Sequence, residues 1–125
     1  MKVEVSNGEL FDKLSILLIK KTKIKDEGKL DEVYKEIAAL ESAVLEIKTN
    51  KFIVSQLDQL LKTNKKLWAI EDKIRRFEKL KRFDKCFVEL ARSVYKQNDK
   101  RALIKHNINI CTNSNLVEVK SYAGH

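Results

Sequence analysis

A chain of 125 residues, 43% apolar and with no proline and only three glycines, has enough material for one domain but too little turn chemistry for a β-sandwich or barrel. Its 35% of charged side chains suits long solvent-facing helices. The net charge of +8 sits unevenly: residues 1–50 carry nine basic and ten acidic groups, residues 51–110 sixteen basic and seven acidic, so a field attractive to anions belongs to one part of the fold.

Residues Lys2 to Val5 alternate charged and apolar, a short strand signal. Ser6-Asn7-Gly8-Glu9 reads as a capping box that opens a helix. Its apolar face is Leu10, Leu14, Leu17, Leu18 and Ile24, and Gly28 is the expected left-handed stop. A second helix is expected from Leu30 or Asp31, with Val33, Ile37, Leu40, Val44 and Ile47 inward. Tyr34, Ala38 and Leu45 form a second apolar flank on it. Thr49-Asn50 should break the helix, because an unbroken run into the next segment would far exceed the usual length.

The third helix is expected over Lys51 to Lys79, with an inner stripe of Ile53, Leu57, Leu60, Leu61, Asn64, Leu67, Trp68, Glu71 and Ile74. A short turn follows, and Asp84 is a good N-cap for a fourth helix that continues to about Ile108. The stripe of that helix is Phe87, Leu90, Ala91, Val94, Asn98, Arg101, Ala102, Lys105 and Ile108. Leu116 to Lys120 alternate again. The expected fold is therefore mostly α: a single domain over 1–125, an antiparallel bundle of about four helices, with a short strand pair formed by the two termini. Residues 83–108 are the second arm of a long helical hairpin whose first arm is 51–80.

With the hairpin turn centred on Arg82, Asn64 lies level with Arg101, Leu67 with Asn98, Glu71 with Val94, and Leu60 with Lys105. Asn64, Glu71, Asn98, Arg101 and Lys105 then occupy faces expected to be buried, with Arg75 and Tyr95 flanking them. A buried charge without a partner costs several kcal/mol, so these groups must pair, line a cleft or bind something. One reading is a satisfied network with Glu71 on Arg101 or Arg75. The other is a cleft holding a small anionic ligand or an acidic partner between Arg75, Arg101 and Lys105, oriented by Asn64 and Asn98, with Glu71 as an acid or base. A small enzyme acting on an anionic substrate would use the same groups electrostatically.

The hairpin tip is basic: Lys73, Arg75, Arg76, Lys79, Lys81, Arg82 and Lys85 are opposed by Glu78 and Asp84 and interleaved with Phe77, Phe83 and Phe87. That mixture suits single-stranded nucleic acid, although aromatics at such spacing more often close a core at a helix turn. The second flank of helix two points to a homodimer or other homo-oligomer. No metal motif, phosphate loop or dinucleotide glycine motif occurs, so neither a metal nor a cofactor is expected. His106 is a lone histidine beside the polar stripe. Cys86 and Cys111 form no CxxC pair and read as reduced thiols. No segment reaches the ~20 apolar residues of a membrane span and no apolar leader opens the chain, so a cytoplasmic location is expected.

Three segments together resemble an uncharacterised bacterial family of short helical proteins, a domain of unknown function. They are Val5 to Leu10 with Asp12-Lys13-Leu14; Leu67-Trp68-Ala69-Ile70-Glu71-Asp72-Lys73-Ile74-Arg75; and Leu90 to Tyr95. The last continues into Asn98 to Ala102 and Lys105, and Lys120-Ser121-Tyr122 closes the chain. The resemblance spans nearly the whole length. It implies no activity, but it adds Asp12, Lys13, Asp72, Arg92 and Asp99 as secondary site candidates beside the flanking Tyr95.

Overall fold

The computed structural model describes residues 1–121, so Tyr122, Gly124 and His125 lie outside the described residues. Four helices make the fold: α1 Asn7–Lys23, α2 Glu27–Val44, α3 Lys51–Lys79 and α4 Lys85–Cys111. α3 and α4 form an antiparallel hairpin. α1 lies along it and touches both, and α2 packs on α1 alone. At 29 residues, α3 is about 43 Å long.

Local chemistry sets the ends. The Ser6 hydroxyl accepts from the Glu9 amide at 3.1 Å and opens α1. Asn50 does the same for Ile53 and Asp84 for Phe87, so the break expected at Thr49-Asn50 and the cap expected at Asp84 both fall where the residue chemistry puts them. With so few glycines, the left-handed stops land elsewhere. Lys81 has φ 55° and Asn113 φ 53°. In each case two amides turn back on the helix: Arg82 to the Phe77 carbonyl and Lys81 to that of Glu78, then Ser114 to Asn109 and Asn113 to Ile110. This is the double closure of a helix C-terminus made without glycine.

Two expectations need correction. Gly28 does not stop the first helix. α1 ends at Lys23, and Asp26 accepts from the amides of Gly28 and Lys29, so Gly28 is inside the first turn of α2, which starts at Glu27 rather than Leu30 or Asp31. Nor do Lys2 to Val5 and Leu116 to Lys120 form strands; no strand occurs among the described residues. The two segments do meet, but through side chains. Asn115 Nδ2 reaches Glu4 at 3.5 Å, and Ser6 donates to Glu118 at 2.5 Å. Alternation in four or five residues cannot by itself supply the third strand or packed face that a pair needs.

The core has two parts. Phe11, Leu60, Ile104 and Ile108 join α1 to the open end of the hairpin, and Leu17, Val33 and Ile37 join α1 to α2. α1 thus has two buried faces. The leucine stripe serves α2, while Gly8, Phe11, Asp12, Ser15 and Ile19 are buried as well. Gly8 permits the close approach: a Cβ there would stand 2.5 Å from the Lys105 carbonyl oxygen, and its amide donates to Asn109 Oδ1 at 2.6 Å. Toward the tip the burial stops. From Lys65 to Leu103 no residue is buried.

Candidate functional site

The centre of the polar cluster is Asp12, on α1, at 1% exposure. Arg101 donates from Nε to Asp12 Oδ1 at 2.8 Å and from Nη2 to Oδ2, a two-pronged pair. Asn64 Nδ2 donates to the same Oδ1 at 3.0 Å and to Ser15 Oγ at 2.7 Å. Ser15 Oγ in turn donates to the backbone carbonyl of Asp12 at 2.7 Å. A carboxylate this deep would be prohibitive alone; here both oxygens are occupied by donors, one of them cationic. The hydrogen bond to Asp12 raises the Arg101 pKa, against desolvation, so the guanidinium is firmly charged.

Among the described residues Arg101 makes one further hydrogen bond, from Nη1 to Asn98 Oδ1 at 3.4 Å, and its side chain keeps 28% exposure. That exposed edge faces an open cleft of about 610 Å³. Ile16 and Ile19 of α1, Leu67 and Trp68 of α3, and Val94 of α4 give the cleft its apolar wall. Glu71, Asp72, Arg75 and Asn98 supply its polar rim. Glu71 and Arg75 are a loose rim pair at 3.9 Å, both more than half exposed.

Asn64, Asn98, Arg101, Glu71, Arg75 and Asp72 therefore share one cleft. Lys105 does not join them. One turn beyond Arg101 on α4, it pairs with Glu9 of α1 at 2.5 Å and lines a separate groove with Asp99, His106 and Glu118. Asp99 in turn accepts from Lys120 at 2.5 Å. Lys13, Arg92 and Tyr95 are exposed. Glu71 sits on the rim and pairs with Arg75, not with Arg101, whose partner comes from a helix outside the hairpin. That partner, Asp12, follows from no stripe drawn through leucines. The signal was the spacing Gly8, Asp12, Ser15, Ile19, a second helical face of small and polar residues beside the leucine stripe.

A second polar group closes the end of the fold. Glu118 accepts from Ser6 at 2.5 Å and from Asn109 at 3.0 Å, and Asn7 donates to Ser114 and Thr112. Desolvation pushes the Glu118 carboxyl up, but the hydrogen bonds from Ser6, its own amide and Asn109, with the charge of Lys105, pull it below its ordinary value. At the tip, the Arg82 guanidinium lies 4.4 Å from the Phe77 ring centroid and bonds Asp84 at 2.7 Å, while Phe83 and Phe87 meet edge to face at 5.2 Å. The tip aromatics thus pack on their neighbours. Among the described residues no three His, Cys, Asp or Glu side chains gather as metal ligands, and no helix is long and apolar enough to cross a membrane.

No curated protein and no solved structure matches this chain. The family model described as "Family of unknown function (DUF6165)" matches residues 1–125 from end to end, and the chain belongs to that family.

Proposed function

We propose that the chain is a binding module, and that its ligand is a small molecule with an anionic group, a flat or apolar body, and a hydrogen-bond donor or cationic group. The observation that carries this reading is Arg101: a guanidinium locked in place by a buried carboxylate, with one edge left open on a cleft that also holds Trp68. A pre-oriented donor costs little ordering entropy on binding, and a concave, mostly apolar wall with a few convergent polar groups is the usual form of a small-molecule site. The ligand's anion would meet Arg101 and Arg75, and its body would lie against Trp68 and Val94.

Charge refines the ligand class. Asp12 already neutralises Arg101, and Glu71 and Asp72 outnumber the remaining Arg75. The cleft is thus bipolar, and a simple dianion would meet as much repulsion as attraction. Binding is favoured over catalysis because the acids of the cleft, Glu71 and Asp72, are both exposed on its rim, not held in a water-excluded pocket.

A thermal-shift screen of amino acids, aromatic carboxylates, nucleotides and phosphorylated metabolites tests the idea. A hit should lose its shift in Arg75→Ala and in Trp68→Ala, neither of which removes a buried residue. A panel without hits, or a shift that survives both substitutions, would overturn the reading.

A further inference from the structure

Two surfaces far from that cleft carry matching patterns. The first is on α2. Glu27, Asp31, Tyr34, Ala38, Glu41 and Leu45 follow one another at intervals of four, three, four, three and four, the spacing of a single helix face. All six are exposed, Tyr34 at 52% and Leu45 at 85%. The stripe is apolar and acidic, and no basic residue falls within it. It is not the face that builds the fold, since Val33 and Ile37 do that, and among the described residues α2 meets no helix besides α1.

The second surface is a groove near the hairpin tip, between the end of α3 and the start of α4, with a volume of about 620 Å³. Phe77, Leu80 and Leu90 form its apolar lining, and Leu80 is 71% exposed. Lys73 and Arg76 edge it on the α3 side. Its one acid, Glu89, faces Lys85 at 4.0 Å. The groove is thus apolar and basic where the stripe is apolar and acidic. It lies on the side of the hairpin away from α1: its α3 residues, Lys73, Arg76 and Phe77, alternate along the helix with Glu71, Asp72 and Arg75 of the cleft that α1 walls. One copy cannot fold its own α2 onto it.

We infer that the groove is the docking site for α2 of a second copy of this chain. An amphipathic helix laid in a two-helix groove through residues at i, i+4, i+7 and i+11 is a standard recognition mode. Tyr34, Ala38 and Leu45 would face Phe77, Leu80 and Leu90. Asp31 and Glu41 would meet Lys73 and Arg76. Because stripe and groove are different surfaces, the contact is head-to-tail; it closes if two copies use it reciprocally and otherwise extends. Opposite charges in the contact steer encounter, while like charges across it would repel wrong registers.

The test is sedimentation velocity of the full chain over a concentration series, in low salt and in molar salt. Reversible association that weakens with salt is expected. Two double variants follow: Lys73→Glu with Arg76→Glu, and Asp31→Lys with Glu41→Lys. All four positions are exposed, so each variant should keep its helical circular dichroism. Each alone should raise the dissociation constant about tenfold or more. Mixed in equal amounts they should associate again, since reversed groove now meets reversed stripe and native groove meets native stripe. A wild-type chain that stays monomeric at the highest concentration overturns the inference. So does association that both variants retain, or a mixture that fails to recover it. Tyr34→Ser, which removes no charge, should weaken association at both salt levels.

Discussion

The two ends of the hairpin are built differently. At the open end, α1 fills the space between α3 and α4, and Leu60 and Ile108 have no exposure at all. There Asp12 is held by Arg101 and Asn64, and Gly8 by Asn109. Toward the tip the same two helices continue with nothing buried, leaving Trp68, Phe77 and Leu90 half covered. Stability is concentrated in the first region. The second carries both the bipolar cleft and the basic groove, which is where an unfinished surface is of use for recognition.

Substitutions should separate the regions sharply. The largest loss is expected from Arg101→Ala, which leaves the Asp12 carboxylate buried without its cation; breaking such a pair costs about 3–5 kcal/mol by denaturant titration. Leu60→Ala comes next at about 3 kcal/mol, whereas Leu90→Ala, the same truncation in the arm, should cost less than half of that. If the two leucines proved equal, the contrast would fail and a partner covering the arm would be implied. Gly8→Ala should cost about 1–3 kcal/mol, because the new methyl would meet the Lys105 carbonyl. In an uncrowded helix the change would instead gain about 1 kcal/mol, so the sign is diagnostic.

The smallest effect concerns pH. Glu118 is held below its ordinary value of 4.5, so its contribution is complete above that pH and is lost as the pH falls through the lower folded value. Glu118→Gln should therefore have a lower melting temperature at neutral pH and a shallower decline below about pH 4.5. Parallel melting curves of variant and wild type across that window would contradict the role given to this carboxylate.

The hairpin itself is legible in the sequence, though the contrast between its ends is not. Asn50 and Asp84 delimit α3 and α4 because an Asx side chain before an amphipathic run has few other uses, and the structure starts the two helices at Lys51 and Lys85. The short turn fixes the hairpin register, and Asn64 and Arg101 do meet at one oxygen. What could not be read was which element would cover them. The hairpin register involves two helices only, and it places Glu71 and Lys105 in the same interior as Arg101. The third helix, α1, selects among these residues by covering only the lower part of one side, so Glu71 stays on a wet rim and Lys105 turns toward Glu9. Periodicity alone hides Asp12, which enters only through the family resemblance, because an aspartate beside a leucine stripe looks like a surface residue until its position in the turn after Gly8 is noticed. The terminal segments misled for a related reason. Their alternation is real, but each is fastened by Ser6, Asn7, Asn109 and Glu118 instead of by a ladder.

The seating of Gly8 against Asn109 has a consequence for biogenesis. The partners are 101 positions apart, and those of Asp12 and Arg101 are 89 apart. During synthesis α1 leaves the ribosome long before the residues that complete its polar face. Until then Phe11 and Asp12 lack the α4 part of their cover, and of the neighbours of α1 only α2 and α3 have been made. The hairpin of α3 and α4 closes locally, so docking of α1 into it is the late, long-range step, the kind that sets folding speed. A nascent chain stalled before residue 104 would hold α1, α2 and α3 as an adhesive set, with the α4 side of their shared surface still unfinished.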